Sequence, residues 1–343
     1  MTDTLRTAHD ALLVDLDGTV YAGPVAIPGA VEALRDDVPP VLYVTNNASR
    51  APSDVAAHLR DLGLPAKDDD VVTSAQSAAG LLADQLPAGS AVLIVGTDAL
   101  ADEVSQRGLR PVREASADPA AVVQGHSPDT NWQILGEAAL AIRAGAVWVA
   151  ANLDPTLPSD RGLLPGNGSM VAALRTATAR DPQVAGKPAT PLMRDAVERA
   201  GARRPLVVGD RLDTDIAGGY AAGIPTLLVL TGVSTPLDLL RARVDQRPDY
   251  IGADLSALDR PAQDAAVGPV LGWSVHVDGD DLVVSSTTAE PQACDALRAA
   301  CAVAWTKPSF ARVTAKGEAA AAVLRQWGLT DAGQERPRVE QTQ

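Results

Sequence analysis

Short uninterrupted apolar runs that stop at polar or acidic residues recur along the chain, and they set the reading of its fold. Residues 11–15 read Ala-Leu-Leu-Val-Asp, the pattern of a strand buried on both faces and ending in a carboxylate. Residues 28–35 read as a short helix and 40–45 as a second buried strand. Residues 53–62 predict a helix, with Ser53 placed to cap it and Gly63 to end it. The same style returns after residue 184. A helix over 191–200 closes at Gly201, and a strand over 206–208, a helix over 216–222 and a strand over 226–230 follow. This alternation predicts an α/β fold built on a doubly wound, Rossmann-like parallel sheet.

Between the two halves, residues 77–183 carry their own alternation, with strands over 92–95, 121–123 and 147–150. They read as a second α/β domain inserted into the first, so that the core comprises residues 1–76 and 184–263. A hinge near 261–268 leads to a third segment. There, residues 273–277 and 282–286 flank Asp278-Gly279-Asp280-Asp281, a hairpin signal, and helices follow over 291–303 and 318–327. This predicts a small α+β module over 270–330, and the polar stretch 331–343 reads as a disordered tail.

Composition narrows the possibilities. At 343 residues the chain is long for one domain and short for three full-sized ones, and 46% hydrophobic with 21% charged residues excludes a disordered protein. Aromatic content is only 3%, so Ala, Val, Leu and Ile must fill the core. The net charge of −14 disfavours nucleic acid and anionic membrane surfaces as partners. Among the basic residues only positions 67, 187, 307 and 316 are lysine, which gives each more weight. The first ten residues do not read as an export signal, and no run approaches the roughly 18 apolar residues of a membrane span. Cys294 and Cys301 fall seven apart in one predicted helix, about 10 Å between Cα atoms and beyond disulfide reach. They read as small buried hydrophobes of a reduced, cytoplasmic protein; a monomer and a homodimer fit equally.

Four motifs carry chemistry. Asp15-Leu16-Asp17-Gly18-Thr19 follows the first buried strand, and Thr45-Asn46-Asn47 ends the next. Lys187, in Gly186-Lys187-Pro188, opens a helix, and Gly209-Asp210-Arg211-Leu212-Asp213-Thr214-Asp215 ends another strand. In open parallel sheets, ligands bind at these carboxyl ends. Taken singly, each has an ordinary explanation. D-x-D-G occurs in Ca²⁺ loops, which also need further ligands, Lys187 alone would be a solvated surface lysine, and Asp213 and Asp215 suit a helix N-terminus. Their joint occurrence at strand ends and helix starts is what those explanations leave over.

The parts suit phosphoryl transfer. One carboxylate can attack phosphorus and a second, two residues on, can protonate the leaving alcohol and later deprotonate water. A hydroxyl, backbone amides and a lysine would hold the non-bridging oxygens. Clustered oxygens from Asp15, Asp17 and Asp210 form a hard-cation site suited to Mg²⁺.

In this order the four motifs resemble those of the haloacid dehalogenase superfamily. The long insertion resembles the class IIA cap of its NagD-type, phosphoglycolate and glycerol-phosphate phosphatases, a likeness spanning about 250 residues. Within it, Val71-Val72-Thr73-Ser74-Ala75, Asn152-Leu153-Asp154, Pro165-Gly166-Asn167-Gly168-Ser169 and Thr231-Gly232-Val233-Ser234-Thr235 match the subgroup's pattern. The resemblance implies Asp15 as the nucleophile that becomes aspartyl-phosphate, Asp17 as general acid/base and Lys187 as the bridge between Asp15 and the phosphoryl group. It places Thr45, Asn46 and Asn47 on that group, and Asp15, Asp17, Asp210 and Asp215 around Mg²⁺. Because dehalogenases and P-type ATPases lack a carboxylate at the position of Asp17, it selects a phosphatase.

A cap over the active site favours a small phosphate monoester over a macromolecular substrate. On the cap side, Asp154, Arg161, Gly166, Asn167 and Gly168 are the expected substrate contacts, although Gly166–Gly168 also suit a plain helix start. Pyridoxal-phosphate-hydrolysing relatives carry Trp and His where this chain has Thr156 and Leu157, so glycerol 3-phosphate leads over 2-phosphoglycolate, pyridoxal phosphate and nucleoside monophosphates. His126 reads as a structural surface residue in preference to a substrate contact. The module over 270–330 resembles a fragment of an acetyltransferase fold without a Gly-rich pyrophosphate loop, which argues against acetyl transfer and for packing, oligomerisation or regulation. A non-enzymatic alternative is a phosphate-metabolite sensor.

Overall fold

The computed structural model describes residues 4–36, 38–159, 161–288, 291–307 and 309–329; the tail expected to be disordered lies outside them. Its central element is a six-stranded, all-parallel sheet in the order Tyr250–Gly252, Thr226–Val229, Pro205–Gly209, Ala11–Val14, Val41–Thr45, Val71–Thr73. Ala11–Val14 is fully buried because it sits between two strands with both faces covered. Side-chain alternation sorts the core: Leu12 and Val14 join Tyr43, Leu206 and Val208 on one face, while Leu13 joins Leu42, Val44 and Val207 on the other. The strands ending at Val14, Thr45 and Gly209 are neighbours, so Asp15, Asn46 and Asp210 emerge side by side at one sheet edge.

Several local expectations shift. The helix expected from Ser53 runs Pro52–Asp61 with Ala51 at the cap position. Pro52, which has no N–H to satisfy, takes the first turn and leaves Ser53 inside it. The helix expected over 216–222 begins as a wide π-turn, Leu212–Ile216, and continues as Ala217–Ala222. The edge strands Val71–Thr73 and Tyr250–Gly252 are only three residues long, too short to show as runs in the sequence.

The insert builds a second parallel sheet in the order Gln183–Val184, Val147–Ala150, Ala121–Gln124, Ala91–Val95, Arg110–Val112. Residue 184, expected to open the second half of the core, pairs instead with Ala150 as the edge of this sheet, where backbone hydrogen bonding outweighs sequence style. Within the insert, Thr156–Ser159 pairs with Gly162–Pro165 as an antiparallel hairpin. Its exposed Pro and Leu residues hide the strand pattern.

The third segment forms a three-stranded sheet. Trp273–Asp278 and Asp281–Ser286 make the expected hairpin, and Arg312–Lys316 adds a parallel strand that its mixed composition concealed. Helices Ala293–Ala304 and Glu318–Gln326 cover it. This module shares one continuous apolar cluster with the core: Leu282, Val284, Leu297 and Val313 pack with Leu228, Leu239, Leu240 and Ile251. The expected hinge is a bolted joint. Ala262–Ala265 is a short helix with Ala265 buried, and Arg298 donates to the carbonyls of Gln263 (2.9 Å) and Ala266 (2.8 Å).

Candidate active site

Lys187 organises the site. Its side chain is 2% exposed, and its Nζ donates to the Asp15 carboxylate and to the Val44 carbonyl (2.9 Å) while lying 2.8 Å from Asp215 Oδ1. Burial alone would depress the ammonium's pKa. The carboxylates of Asp15 and Asp215 outweigh that and hold it above the ordinary lysine range. The opposite strain falls on the acids. Burial, then repulsion from Asp215, raises Asp15, and the same two causes push Asp210 up to about 6.

Glycines make this crowding possible. Gly18, at φ +88°, lies against Asp210, and a Cβ there would come within 2.6 Å of Asp210 Oδ2. Gly232 abuts the same carboxylate, and Gly209 abuts Asp215. Asp210 is then fixed by the Val233 N–H (2.6 Å) and more loosely by the Thr19 hydroxyl (3.4 Å). Asp215 folds back to accept from the Arg211 N–H (3.1 Å), a contact that the π-turn permits. Thr231 Oγ1 donates to the Gly18 carbonyl (2.7 Å) and locks the two loops together.

Carboxylate oxygens of Asp15, Asp210 and Asp215 lie within 4.8 Å of one another. Three carboxylates against one ammonium leave two negative charges uncompensated in a buried site, and a divalent cation would cancel them. The all-oxygen donor set suits Mg²⁺. The Asp17 carboxylate lies outside that trio, and the residue is exposed. Partial burial raises its pKa against the pull of Lys187, Arg50 and His58.

The second motif is used differently from expectation. Thr45, buried, accepts the Asn47 N–H (3.0 Å) and keeps its own proton to donate. The Asn46 side chain is fully engaged: Oδ1 accepts the Lys187 N–H (2.7 Å), and Nδ2 donates to the Lys187 carbonyl (3.1 Å) and to Asp154 of the insert (3.2 Å). Asn47 Oδ1 accepts from Ser49 N and Oγ, both at 2.8 Å. The Asn46 amide is thus committed away from a phosphoryl group, whereas Asn47 Nδ2 forms no hydrogen bond with the described residues and stays open to one.

On the insert side, Asp154 faces the core through Asn46 and feels the charge of Arg211, which Asp213 pins with two hydrogen bonds (3.0 and 2.8 Å). Gly166, Asn167 and Gly168 bracket the Asp154 turn. The N–H groups of Gly166 and Gly168 donate to the carbonyls of Pro155 and Asp154 (both 2.9 Å), and Asn167 Nδ2 donates to the Asn152 carbonyl (2.7 Å). Arg161 is exposed in the turn of the 156–165 hairpin and makes no side-chain hydrogen bond or ion pair with the described residues. His126 is half-buried, and burial lowers its pKa. Sequence reasoning missed the supporting groups: Ser74 Oγ and Asn152 Nδ2 both donate to the Asn46 carbonyl at 2.6 Å, and Arg211 stands beside Asp154. Ser74 and Asn152 lie in motifs singled out above, the one signal available.

Comparison with known proteins agrees with this geometry. Residues 12–110 match the haloacid dehalogenase-like hydrolases, and residues 184–258 a second HAD-hydrolase-like family. Residues 271–329 match a GCN5-related N-acetyltransferase-like domain. The chain is 53% identical to a D-glycerol 3-phosphate phosphatase of Mycobacterium tuberculosis, over 95% of this chain and 96% of that one. It is 37% identical to an acid sugar phosphatase of Staphylococcus aureus, over 72% of this chain and 96% of the relative. Among solved structures, the glycerol phosphate phosphatase of Mycobacterium tuberculosis in complex with magnesium superimposes with a TM-score of 0.91 at 54% identity, covering 95% of this chain and 99% of that one. A p-nitrophenyl phosphatase from Archaeoglobus fulgidus gives 0.67 at 30% identity, covering 73% and 97%.

Proposed function

The chain belongs to the haloacid dehalogenase-like hydrolases and is a Mg²⁺-dependent phosphatase, and from that premise we propose that it hydrolyses glycerol 3-phosphate through an aspartyl-phosphate on Asp15. The observation that carries the mechanism is the buried Asp15–Lys187–Asp215 chain beside Asp210. In this reading Asp15 attacks phosphorus while the exposed Asp17 gives a proton to the departing glycerol oxygen and later takes one from the water that splits the acyl phosphate. Lys187 neutralises non-bridging oxygens from a position that does not reorganise during the reaction, with Thr45 Oγ1 as a further donor. Asp15 and Asp210, with Asp215 behind them, would hold the cation. Bound Mg²⁺ supplies the positive charge that lets an anionic ester approach three carboxylates.

The insert, residues 77–183 with the edge strand to 184, serves here as the cap, and its Asp154 turn faces the ester. Glycerol 3-phosphate is favoured by the relative named for it, whose similarity runs through the C-terminal module, whereas the acid sugar phosphatase covers 72% of the chain. The −14 charge disfavours nucleic-acid and membrane partners, the two free cysteines suit a cytoplasmic enzyme, and no helix among the described residues is long and apolar enough to cross a membrane. A panel of esters compared by kcat/KM tests the substrate. Glycerol 3-phosphate is expected to exceed sugar phosphates, 2-phosphoglycolate, pyridoxal phosphate and nucleoside monophosphates, and a higher value for any of these would replace it.

A further inference from the structure

At the opposite edge of the core sheet from the catalytic carboxylates lies a groove of about 770 Å³, within the range of small-molecule sites. Its floor is apolar, with Val197, Ala202, Pro205 and Ile224 among its walls. Its rim carries Arg194, Arg203 and Arg204, all exposed, and none of their guanidinium groups forms a hydrogen bond or ion pair with the described residues. Asp10 offsets part of this charge, since its carboxylate accepts the backbone N–H groups of Arg203 (2.9 Å) and Arg204 (2.7 Å). In a chain of net charge −14, three unpaired arginines around one apolar recess stand apart. His9 also lines the groove; its Nδ1 lies 3.1 Å from the Arg204 carbonyl and its buried Nε2 has no partner.

The two helices that wall the groove lead directly to the active site. Thr190–Ala200 begins three residues after Lys187 and brings Arg194 and Val197 to the groove, while Ala217–Ala222 begins two residues after Asp215 and ends at it. The two helices pack against each other. The groove touches both helices, from Thr190 at the start of the first to Ala222 at the end of the second, so a ligand there contacts the elements that hold the Lys187–Asp215 pair.

We infer that this groove is a regulatory site for a small amphipathic anion, an apolar body with a carboxylate, sulfonate or phosphate head. The arginine fork suits the head and the recess suits the body. Octanesulfonate below its micelle concentration is a probe the phosphatase chemistry cannot consume. Titration calorimetry on the full chain is expected to give one site, weakened roughly tenfold or more by Arg194→Glu with Arg204→Glu, charge reversals at exposed positions. Ala221→Trp, which fills the groove without changing charge, should weaken it as well. Saturating probe is expected to change glycerol 3-phosphate turnover about twofold or more in wild type and not in the Arg variant. Absence of saturable binding, binding that neither variant weakens, or full occupancy with unchanged turnover would each overturn the inference. The calorimetric arm does not depend on which ester is the substrate, so a wrong substrate assignment and a wrong groove assignment give different results.

Discussion

The side chain of Asn46 holds the backbone of Lys187 from both sides, accepting its N–H at 2.7 Å and donating to its carbonyl at 3.1 Å. The same Nδ2 reaches Asp154 of the insert at 3.2 Å, so one amide sets Lys187 and the insert together. Gly186 is required beside it, because a Cβ there would come within 2.6 Å of Asn46 Oδ1.

Asn46→Ala is therefore expected to act on Lys187 without touching its charge. Misplacing a catalytic group by about 1 Å costs on the order of 100-fold, so kcat should fall by that order while the fold is retained by circular dichroism. Asp154→Asn leaves the Lys187 bracket intact and should act mainly on KM. Steady-state kinetics of the two variants separates the roles.

Metal removal should be legible in stability as well as activity. Without a cation, Asp15, Asp210 and Asp215 repel one another, so adding Mg²⁺ to chelator-treated protein should raise Tm. Asp210→Asn should raise the Tm of the metal-free protein above that of wild type and shrink the Mg²⁺-induced rise, while abolishing most activity. Thermal scans with and without Mg²⁺ measure both effects.

The C-terminal module is expected to be part of the core's stability. Leu297 and Leu282 are fully buried against Leu228 and Ile251, so Leu297→Ala should cost roughly 2–5 kcal/mol in denaturant unfolding. Deleting the residues after Pro261 should lower Tm or solubility. Unchanged turnover, oligomer size and thermal midpoint in that truncation would contradict the packing account.

His9 gives a pH signature. Burial lowers its pKa below the ordinary 6.5, so the unfolded chain binds a proton that the folded chain refuses. Its contribution to stability is complete above pH 6.5 and is lost as pH falls through the lower folded value. Wild type should therefore lose stability more steeply than His9→Gln below pH 6.5, with the two curves parallel above it.

Much of the architecture was readable because doubly buried strands such as Ala11–Val14 must be continuously apolar, and because carboxylates at their ends have few structural uses. The insert declared itself through the same style. Edge strands escaped notice where pairing with a neighbour, and not composition, makes the strand, as in Tyr250–Gly252 and Arg312–Lys316. The use of Asn46 was not legible either. An asparagine after a strand suits phosphate binding by its residue type, and only the approach of Lys187 and Asp154, 141 and 108 residues away, commits its amide elsewhere. The Arg298 joint was hidden for the same reason, since Pro and Gly over 261–268 read as a linker until a buried arginine crosses to it.

In the proposed mechanism Asp15 carries the phosphoryl group. Acid quenching during turnover of phosphorus-labelled glycerol 3-phosphate, followed by peptide mapping, tests it directly. Label is expected on the peptide containing Asp15, sensitive to hydroxylamine, with neither label nor turnover in a folded Asp15→Asn variant. Label on another residue, or substantial hydrolysis by Asp15→Asn, would contradict it.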